Sequence, residues 1–246
     1  MESPPQSSNR PLVHPADWTA ERVATFWDNY ASIPHLRARF FSLTWGEGIL
    51  EFAERFVPTK GVFLDYGCGQ GDLTQVLLQR GRRCMGVDSS PEGIRITRQR
   101  FTNDAAFLGA FLTPHPQLPA VPDTVMLVEV IEHMPRTVAG DFLRGIAALL
   151  PQGGHVVVSC PNREDIVDAQ VLCPECGCSF HPVQHMQSLA PSDVATLAES
   201  AGFDTVYAGA TRFRRKEELG FIRAIIVGWY WVLRCLPHLV YIGRKK

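Results

Sequence analysis

The sequence has no uninterrupted apolar run long enough to cross a bilayer, which argues against a membrane-spanning helix. The longest candidate, Phe221–Leu236, is broken by Arg223, Gly228 and Arg234. The chain also lacks a strong net charge of either sign, since its 24 basic and 25 acidic residues give a net charge of −1. This balance disfavours a protein that holds nucleic acid through an overall basic field. The N-terminal residues lack the charged-then-apolar order of a secretory signal, so a cytoplasmic location is expected.

The remaining composition is that of a globular protein, with 46% hydrophobic and 20% charged residues in 246 positions. Residues 1–15 are polar and rich in proline and serine, and we expect them to form a disordered lead-in. Apolar residues recur at helical spacing within 16–58, which predicts a helical cap interrupted at Pro34 and at the pair Gly46 and Gly48. Residues 59–246 are expected to form the main domain.

From Gly61 onward, short apolar runs alternate with amphipathic stretches, which is typical of an α/β fold with a parallel sheet. The predicted strands are Val62–Asp65, Cys84–Asp88, Ala105–Ala110, Val125–Val130, His155–Cys160, Phe203–Ala208 and, last, His238–Gly243. The predicted helices are Leu73–Gln79, Pro91–Phe101, Val138–Leu150 and Pro191–Ala201. The alternation pauses over residues 161–189, which indicates a small insert rich in cysteine and histidine.

A glycine-rich turn with the spacing Gly67-x-Gly69-x-Gly71 follows the first strand and opens a helix. Such glycines let the backbone approach a ligand closely, at the edge where open α/β sheets bind ligands. Asp88 ends the second strand, where a carboxylate can accept both hydroxyls of a ribose. A dinucleotide would need Gly-x-Gly-x-x-Gly, and Asp72 at the helix start would repel its pyrophosphate. The glycines could alternatively serve only the turn, with Asp88 capping the next helix.

At this point the sequence resembles the class I S-adenosylmethionine-dependent methyltransferases, in particular the group that contains the ubiquinone-biosynthesis O-methyltransferases. The resemblance covers Val62–Ala208. It is carried by six segments: Leu64–Leu73, Gly86–Asp88, Val128–Met134, Leu149–His155 with Ser159–Asn162, His185–Leu189 and Ala201–Phe203.

The resemblance implies a Rossmann-like, doubly wound, mostly parallel sheet of seven strands whose last strand runs antiparallel. It also implies S-adenosylmethionine as the cofactor. Asp65 and Gly67 would lie near its methionine end, Asp88 at the ribose and Gly109-Ala110 beside the adenine. Many relatives have aspartate near position 110, so here the adenine contact would come from the backbone. The full set of expected cofactor residues is Asp65, Gly67, Cys68, Gly69, Asp88, Ser89, Ala110 and Glu129.

Three residues at the end of the fourth predicted strand form a candidate catalytic cluster: Glu129, Glu132 and His133. In one helical turn they would share a face, since positions i, i+3 and i+4 are neighbours. Two carboxylates and an imidazole suit a divalent ion such as magnesium or manganese, which would lower the pKa of an acceptor hydroxyl. Alternatively His133 is a general base, or the cluster only contacts cofactor and holds a structural corner.

The insert carries three of the seven cysteines within six residues, which predicts a structural zinc site. The spacing Cys173-x2-Cys176-x4-His181-x3-His185 supplies ligands, and Cys178 competes with His185 for the fourth position. The cysteines could instead simply be buried. In small-RNA 2′-O-methyltransferases a histidine of the corresponding later segment joins the Glu/Glu/His cluster on a metal. A single His185 cannot serve both ions.

The predicted function is transfer of a methyl group from S-adenosylmethionine to an oxygen of a small or lipid-like acceptor. Three alternatives stay open: a dinucleotide-dependent oxidoreductase, an RNA 2′-O-methyltransferase and a non-catalytic cofactor-binding module. The weak net charge makes nucleic acid an unexpected partner, although Arg212, Arg214, Arg215 and Lys216 form a local basic patch. Phe221–Leu236 is expected to pack on the sheet or to lie at a membrane surface as a peripheral contact.

Overall fold

The computed structural model describes residues 13–114, 117–213 and 236–246. Its main sheet has seven strands: β2 (Val62–Tyr66), β3 (Arg83–Asp88), β4 (Phe107–Leu112), β5 (Thr124–Val128), β6 (His155–Pro161), β9 (Phe203–Thr211) and β10 (His238–Lys245). The helices on its two faces are α4 (Asp72–Gln79), α5 (Pro91–Phe101), α6 (Arg136–Leu149) and α7 (Pro191–Ser200). No helix among the described residues is long and apolar enough to cross a membrane.

The order of the strands across the sheet is β4-β3-β2-β5-β6-β10-β9. Only β10 runs against its neighbours β6 and β9, so the expected seven-stranded, mostly parallel fold with an antiparallel last strand is confirmed. Every residue of β5 is buried, because helices cover both faces of the sheet. The order reverses between β2 and β5, and the carboxyl ends of these strands therefore flank the crevice where such sheets bind ligands.

Most predicted strand boundaries differ from the structure by one to three residues, and two of these differences bear on the site. β4 begins at Phe107, two residues later than predicted, because Asp104 accepts hydrogen bonds from the backbone N–H groups of Ala106 and Phe107 and holds a turn there. β5 ends at Val128, two residues earlier than predicted. The chain leaves the strand at Glu129, whose φ of 55° lies in the left-handed region.

The helical cap consists of α1 (Ala20–Ser32), α2 (Pro34–Arg37) and α3 (Phe41–Ala53). Pro34 separates α1 from α2, as the sequence predicts. The break predicted at Gly46 and Gly48 is wrong, since α3 runs through both glycines. The reason is packing: a Cβ at Gly46 would lie 3.2 Å from Cγ2 of Val76, so this glycine lets α3 lie close against α4.

Two short strands of the insert, β7 (Val171–Leu172) and β8 (Cys178–Phe180), form a second, small sheet with the N-terminal strand β1 (His14–Pro15). The order of the strands is β1-β8-β7. The two residues of β1 belong to the segment predicted to be a disordered lead-in, whose positions 1–12 lie outside the described residues. Here His14 pairs with Cys178 and Pro15 with Ser179. The end of the predicted lead-in is therefore part of a sheet.

Candidate functional site

A cavity of about 430 Å³ lies at the carboxyl ends of β2, β3 and β5, under α1. The main-sheet residues around it include most of those that the sequence singled out: Asp65, Gly67, Cys68, Gly69, Asp88, Ser89, Glu129 and His133. The opposite wall is largely apolar and comes from the helical cap, with Val23, Trp27, Phe40 and Phe41. The cavity thus joins a polar turn to an apolar chamber.

The glycine turn is bound to Asp88. The N–H of Gly69 donates to Oδ2 of Asp88 over 2.7 Å, and the N–H of Ser90 donates to Oδ1 over 2.8 Å. Each carboxylate oxygen keeps capacity for one more donor. A Cβ at Gly69 would meet nothing within 4 Å, whereas a Cβ at Gly67 would lie 2.5 Å from Val130. The turn therefore presents bare backbone and a fixed carboxylate to the cavity.

Two further acids of this turn differ in their electrostatics. Asp65 is buried and accepts a hydrogen bond of 2.7 Å from Thr74. Burial raises the pKa of Asp65 to about 7. Asp72 instead pairs with Arg37 at 2.6 Å and with Arg100 at 3.2 Å. These arginines offset the negative charge of Asp72, so Asp72 repels a pyrophosphate less than the sequence alone predicts.

Ala110 is the one expected cofactor residue that the structure does not bring to the cavity. It lies inside β4, level with Gly86 of β3, and its side chain is fully buried. Its carbonyl accepts a hydrogen bond of 2.7 Å from Arg98. The later start of β4 accounts for this position, because it places Leu112 and not Ala110 beside Asp88 at the edge of the sheet.

Glu129, Glu132 and His133 do not form the single helical face that the sequence predicts. Only Ile131–His133 are helical, in one 3-10 turn. Glu129 precedes this turn, where its carboxylate accepts a 3.2 Å hydrogen bond from the hydroxyl of Ser159. Glu129 and His133 face the cavity, whereas Glu132 is 1% exposed and lies behind them. The two glutamates are nevertheless within hydrogen-bonding reach of each other.

The buried carboxylate of Glu132 lacks donors. No N–H or hydroxyl group in the described ranges donates to either of its oxygens. Burial, followed by the charge of Glu129, raises the pKa of Glu132. Burial likewise raises the pKa of Glu129 and lowers that of His133 to about 3. A buried carboxylate without donors, such as that of Glu132, is costly, and it becomes favourable when a cation is bound beside it.

His185 joins this cluster. One ligand atom from each of Glu132, His133 and His185 lies within 4.8 Å of the others. Nδ1 of His185 is hydrogen-bonded to Glu164 and Nδ1 of His133 lies 3.4 Å from the carbonyl of Gln184. Both imidazoles therefore use Nδ1–H as a donor, which leaves the lone pair of Nε2 free. Metal-binding histidines typically donate one ring N–H to a carboxylate or carbonyl oxygen and bind the metal through the other nitrogen.

His181 has a different arrangement and is not near the cysteines. Its Nδ1 accepts the backbone N–H groups of Val183 and His185, at 3.4 and 3.3 Å. In the neutral ring Nε2 then carries the proton and lies 3.5 Å from Glu164. The predicted zinc set of cysteines with His181 and His185 is therefore not assembled. The Sγ atoms of Cys173, Cys176 and Cys178 form a separate group, all within 4.8 Å of one another.

Sequence reasoning missed Gln184, which ties the cluster to the cap. Gln184 is fully buried and donates a 2.9 Å hydrogen bond to the carbonyl of His133. It accepts one of 3.1 Å from the indole N–H of Trp27 on α1. The rings of Trp27 and His133 lie 4.9 Å apart. Its partners are 51 and 157 residues away in the chain, so no local pattern signals this role.

Comparison with known proteins agrees with this geometry. The family model described as "Methyltransferase domain" matches residues 36–208. The ubiquinone biosynthesis O-methyltransferase of Aeromonas salmonicida is 28% identical over 149 residues, which span 56% of this chain and 61% of that enzyme. The ubiquinone biosynthesis O-methyltransferase of Bordetella avium is 27% identical over 213 residues, which span 80% of this chain and 85% of that enzyme. The chain thus spans about three fifths of the first relative and most of the second.

Solved structures show the same fold. The 1,6-didemethyltoxoflavin-N1-methyltransferase of Burkholderia thailandensis, with its substrate and S-adenosylhomocysteine bound, aligns with a TM-score of 0.58 and 21% identity. The alignment covers 98% of this chain and 97% of that one. The family match spans more than half of the sequence and includes the glycine turn, Asp88 and the glutamate–histidine cluster. The chain therefore belongs to the methyltransferase-domain family, and its fold is that of the S-adenosylmethionine-dependent methyltransferases.

Proposed function

We propose that this protein transfers the methyl group of S-adenosylmethionine to a hydroxyl oxygen of a small, lipid-like acceptor. The observation that carries the proposal is the convergence of Glu132, His133 and His185 beside the cavity that also contains the glycine turn. The names of the curated relatives point to the same chemistry, since they are O-methyltransferases of ubiquinone biosynthesis. The apolar wall made by Val23, Trp27 and Phe40 suits an acceptor with an apolar body.

The polar end of the cavity is the proposed cofactor site. Asp88 accepts the two ribose hydroxyls with the oxygen lone pairs that Gly69 and Ser90 leave free. Asp65 and Gly67 face the methionine end, where the carboxylate of Asp65 attracts the cationic amino group. Cys68, Ser89 and Glu129 complete the contacts. Bound here, S-adenosylmethionine supplies an activated methyl group, and the protein contributes alignment and a deprotonated acceptor.

A divalent ion is the second part of the proposal, with Glu129, Glu132, His133 and His185 as its ligands. The donor set fits, because two carboxylates and two imidazoles suit magnesium, manganese or a related ion. The oxygens of Glu132 that have no donor are satisfied by a cation. Glu164 holds Nδ1 of His185 and so aims Nε2 of that residue at the cluster. A bound ion lowers the pKa of a coordinated hydroxyl.

We expect the affinity of the site for its cofactor to depend on pH. With a pKa of about 7, Asp65 is mostly protonated at pH 6 and mostly ionised at pH 7.5. Only the ionised form attracts an ammonium group, so the affinity for S-adenosylhomocysteine should rise several-fold over this interval. Calorimetry at a series of pH values checks this. The Asp65→Asn variant is the control and should bind weakly at every pH; an identical rise in that variant would assign the effect to another group.

A screen of acceptors tests the proposal directly. The protein is incubated with methyl-labelled S-adenosylmethionine and, separately, a prenylated catechol, a water-soluble catechol and an RNA oligonucleotide with free 3′ hydroxyls. We expect label on an oxygen of the prenylated catechol, loss of labelling on chelation and its return with magnesium or manganese. Labelling of the RNA alone, or labelling of the catechol that a chelator leaves unchanged, would contradict the proposal.

Methylation of an RNA 2′ hydroxyl is the second candidate, favoured by one observation. His185 of the later segment joins Glu132 and His133 and not the cysteines, as a histidine of the corresponding segment does in small-RNA 2′-O-methyltransferases. The net charge of −1 and the apolar wall of the cavity favour the small acceptor. In the basic patch only Arg212 lies within the described residues. The RNA arm of the screen distinguishes the two candidates.

The cellular setting stays a proposal. All six cysteines in the described residues are free, which fits the reducing cytoplasm. The predicted membrane contact through Phe221–Leu236 lies outside the described residues except for Leu236, so peripheral membrane binding remains a prediction.

A further inference from the structure

The insert carries a second cluster that the methyl-transfer site does not use. Cys173 and Cys176 lie on the turn between β7 and β8, and Cys178 begins β8. The turn is closed by two backbone hydrogen bonds, from Gly177 to Cys173 over 3.0 Å and from Cys173 to Cys178 over 2.8 Å. The three thiols are free, and their sulfur atoms lie within 4.8 Å of one another. Thiolates bound to one tetrahedral zinc ion lie ~3.8 Å apart, so a small contraction suffices.

His14 is the residue that reaches this turn from another part of the chain. β1 runs parallel to β8 with His14 level with Cys178, and the backbone N–H of His14 donates to the carbonyl of Gly177 over 3.2 Å. Nε2 of His14 lies 3.3 Å from the carbonyl oxygen of Cys176. The side chain is exposed, so rotation about its own bonds can turn the ring toward the sulfur atoms without disturbing a core.

We propose that Cys173, Cys176, Cys178 and His14 hold a structural zinc ion that fastens the N-terminal segment to the insert. Three cysteines and one histidine form a closed coordination sphere, which is the pattern of a structural site. This set replaces His181 and His185, whose nitrogens are engaged with Glu164, the backbone and the glutamate–histidine cluster.

The small sheet has little else to hold it. β1 and β7 contain two residues each and β8 contains three. Both side chains of β7 are exposed apolar groups, Leu172 by 55% and Val171 by 42%. Strands this short are not stable by themselves. Zinc stabilises such units because its binding free energy becomes folding free energy.

Because His14 lies close to α1 in the chain, a zinc ion bound there also affects the wall of the cavity. His14 lies six residues before the first residue of α1, and α1 forms the apolar wall through Val23 and Trp27. Among the described residues, two side-chain hydrogen bonds join α1 to the rest of the site: the indole N–H of Trp27 donates to Gln184, and the hydroxyl of Ser90 donates to Asp28. The zinc ion fixes the start of this wall. This consequence rests on the proposed function: loss of the zinc ion raises the KM for the acceptor more than it weakens cofactor binding.

Metal analysis of full-length protein purified without chelator tests the site independently of turnover. We expect one zinc per chain, with X-ray absorption giving three sulfur ligands and one nitrogen. Cys176→Ser should abolish the zinc content. His14→Ala should lower zinc affinity by about 100-fold or more, since losing a group that only hydrogen-bonds to a ligand already costs about 10–100-fold. His35→Ala, at an exposed histidine of α2, is the matched control and should keep the parental affinity.

A second readout addresses the fastening itself. Hydrogen exchange in residues 16–32 should accelerate in His14→Ala and in parent protein stripped of zinc, to a similar extent. Zinc well below one per chain in the parent would overturn the site. Unchanged zinc affinity in His14→Ala, with Cys176→Ser still depleted, would overturn the assignment of the fourth ligand. Both results are independent of whether the acceptor has been identified.

Discussion

The His185→Ala variant should lose about 10²–10⁴-fold of its methyl-transfer rate, the range expected when an enzyme loses its means of deprotonating the acceptor. His185 completes the cluster with Glu132 and His133, and because Glu164 engages its Nδ1, the lone pair on Nε2 is free to bind an ion. His185 does not face the cofactor turn, so the affinity for S-adenosylhomocysteine should stay close to that of the parent. Single-turnover kinetics and calorimetry measure the two quantities separately.

The matched test of the same cluster is Glu132→Gln, which keeps the volume of the side chain and removes its charge. Its expected loss of rate is of the same order, with metal content reduced in parallel. Glu51→Gln, at an exposed glutamate of α3, is the control and should leave the rate unchanged. Parental turnover in His185→Ala would remove that residue from the mechanism, and parental turnover in both variants would remove the ion.

Asp88→Ala should weaken binding of S-adenosylhomocysteine by about 100-fold or more. The carboxylate accepts two ribose hydroxyls in the proposed complex, and each hydrogen bond to a charged group contributes about 1.5–3 kcal/mol. It also holds the N–H groups of Gly69 and Ser90, so the turn loosens when it is removed. Asp141→Ala, at an exposed position of α6, is the control. A change of less than about threefold in Asp88→Ala would show that this residue only caps the turn.

The sequence was sufficient for the fold because the strands of a covered parallel sheet are short apolar runs. β5 and β6 are examples, since almost every residue in them is buried. The glycine turn and Asp88 were predictable for a related reason: turn geometry and strand order bring them to one edge. The position of Ala110 away from the cavity was not predictable, because it depends on where β4 begins, and a single turn at Asp104 moved that point by two residues.

The grouping of the histidines was not predictable from spacing. His181 and His185 are four residues apart and their imidazole rings are stacked, yet the ring nitrogens have different partners. Which nitrogen remains free depends on the N–H of Val183, which donates to His181, and on the carboxylate of Glu164, which accepts from His185; only the folded chain defines these bonds. The same holds for Gln184 and for His14, whose partners lie far away in the sequence. A long-range contact made by a single side chain leaves no periodic pattern in the sequence.

Calorimetric titration of the purified protein with S-adenosylhomocysteine and, separately, with NAD tests the central claim most directly. The two ligands share an adenosine that Asp88 can hold, but only the first has an amino group for Asp65. We expect S-adenosylhomocysteine to bind at one molecule per chain and NAD to give no measurable heat at the same concentrations. Binding of NAD without binding of S-adenosylhomocysteine would contradict the assignment of this site to methyl transfer.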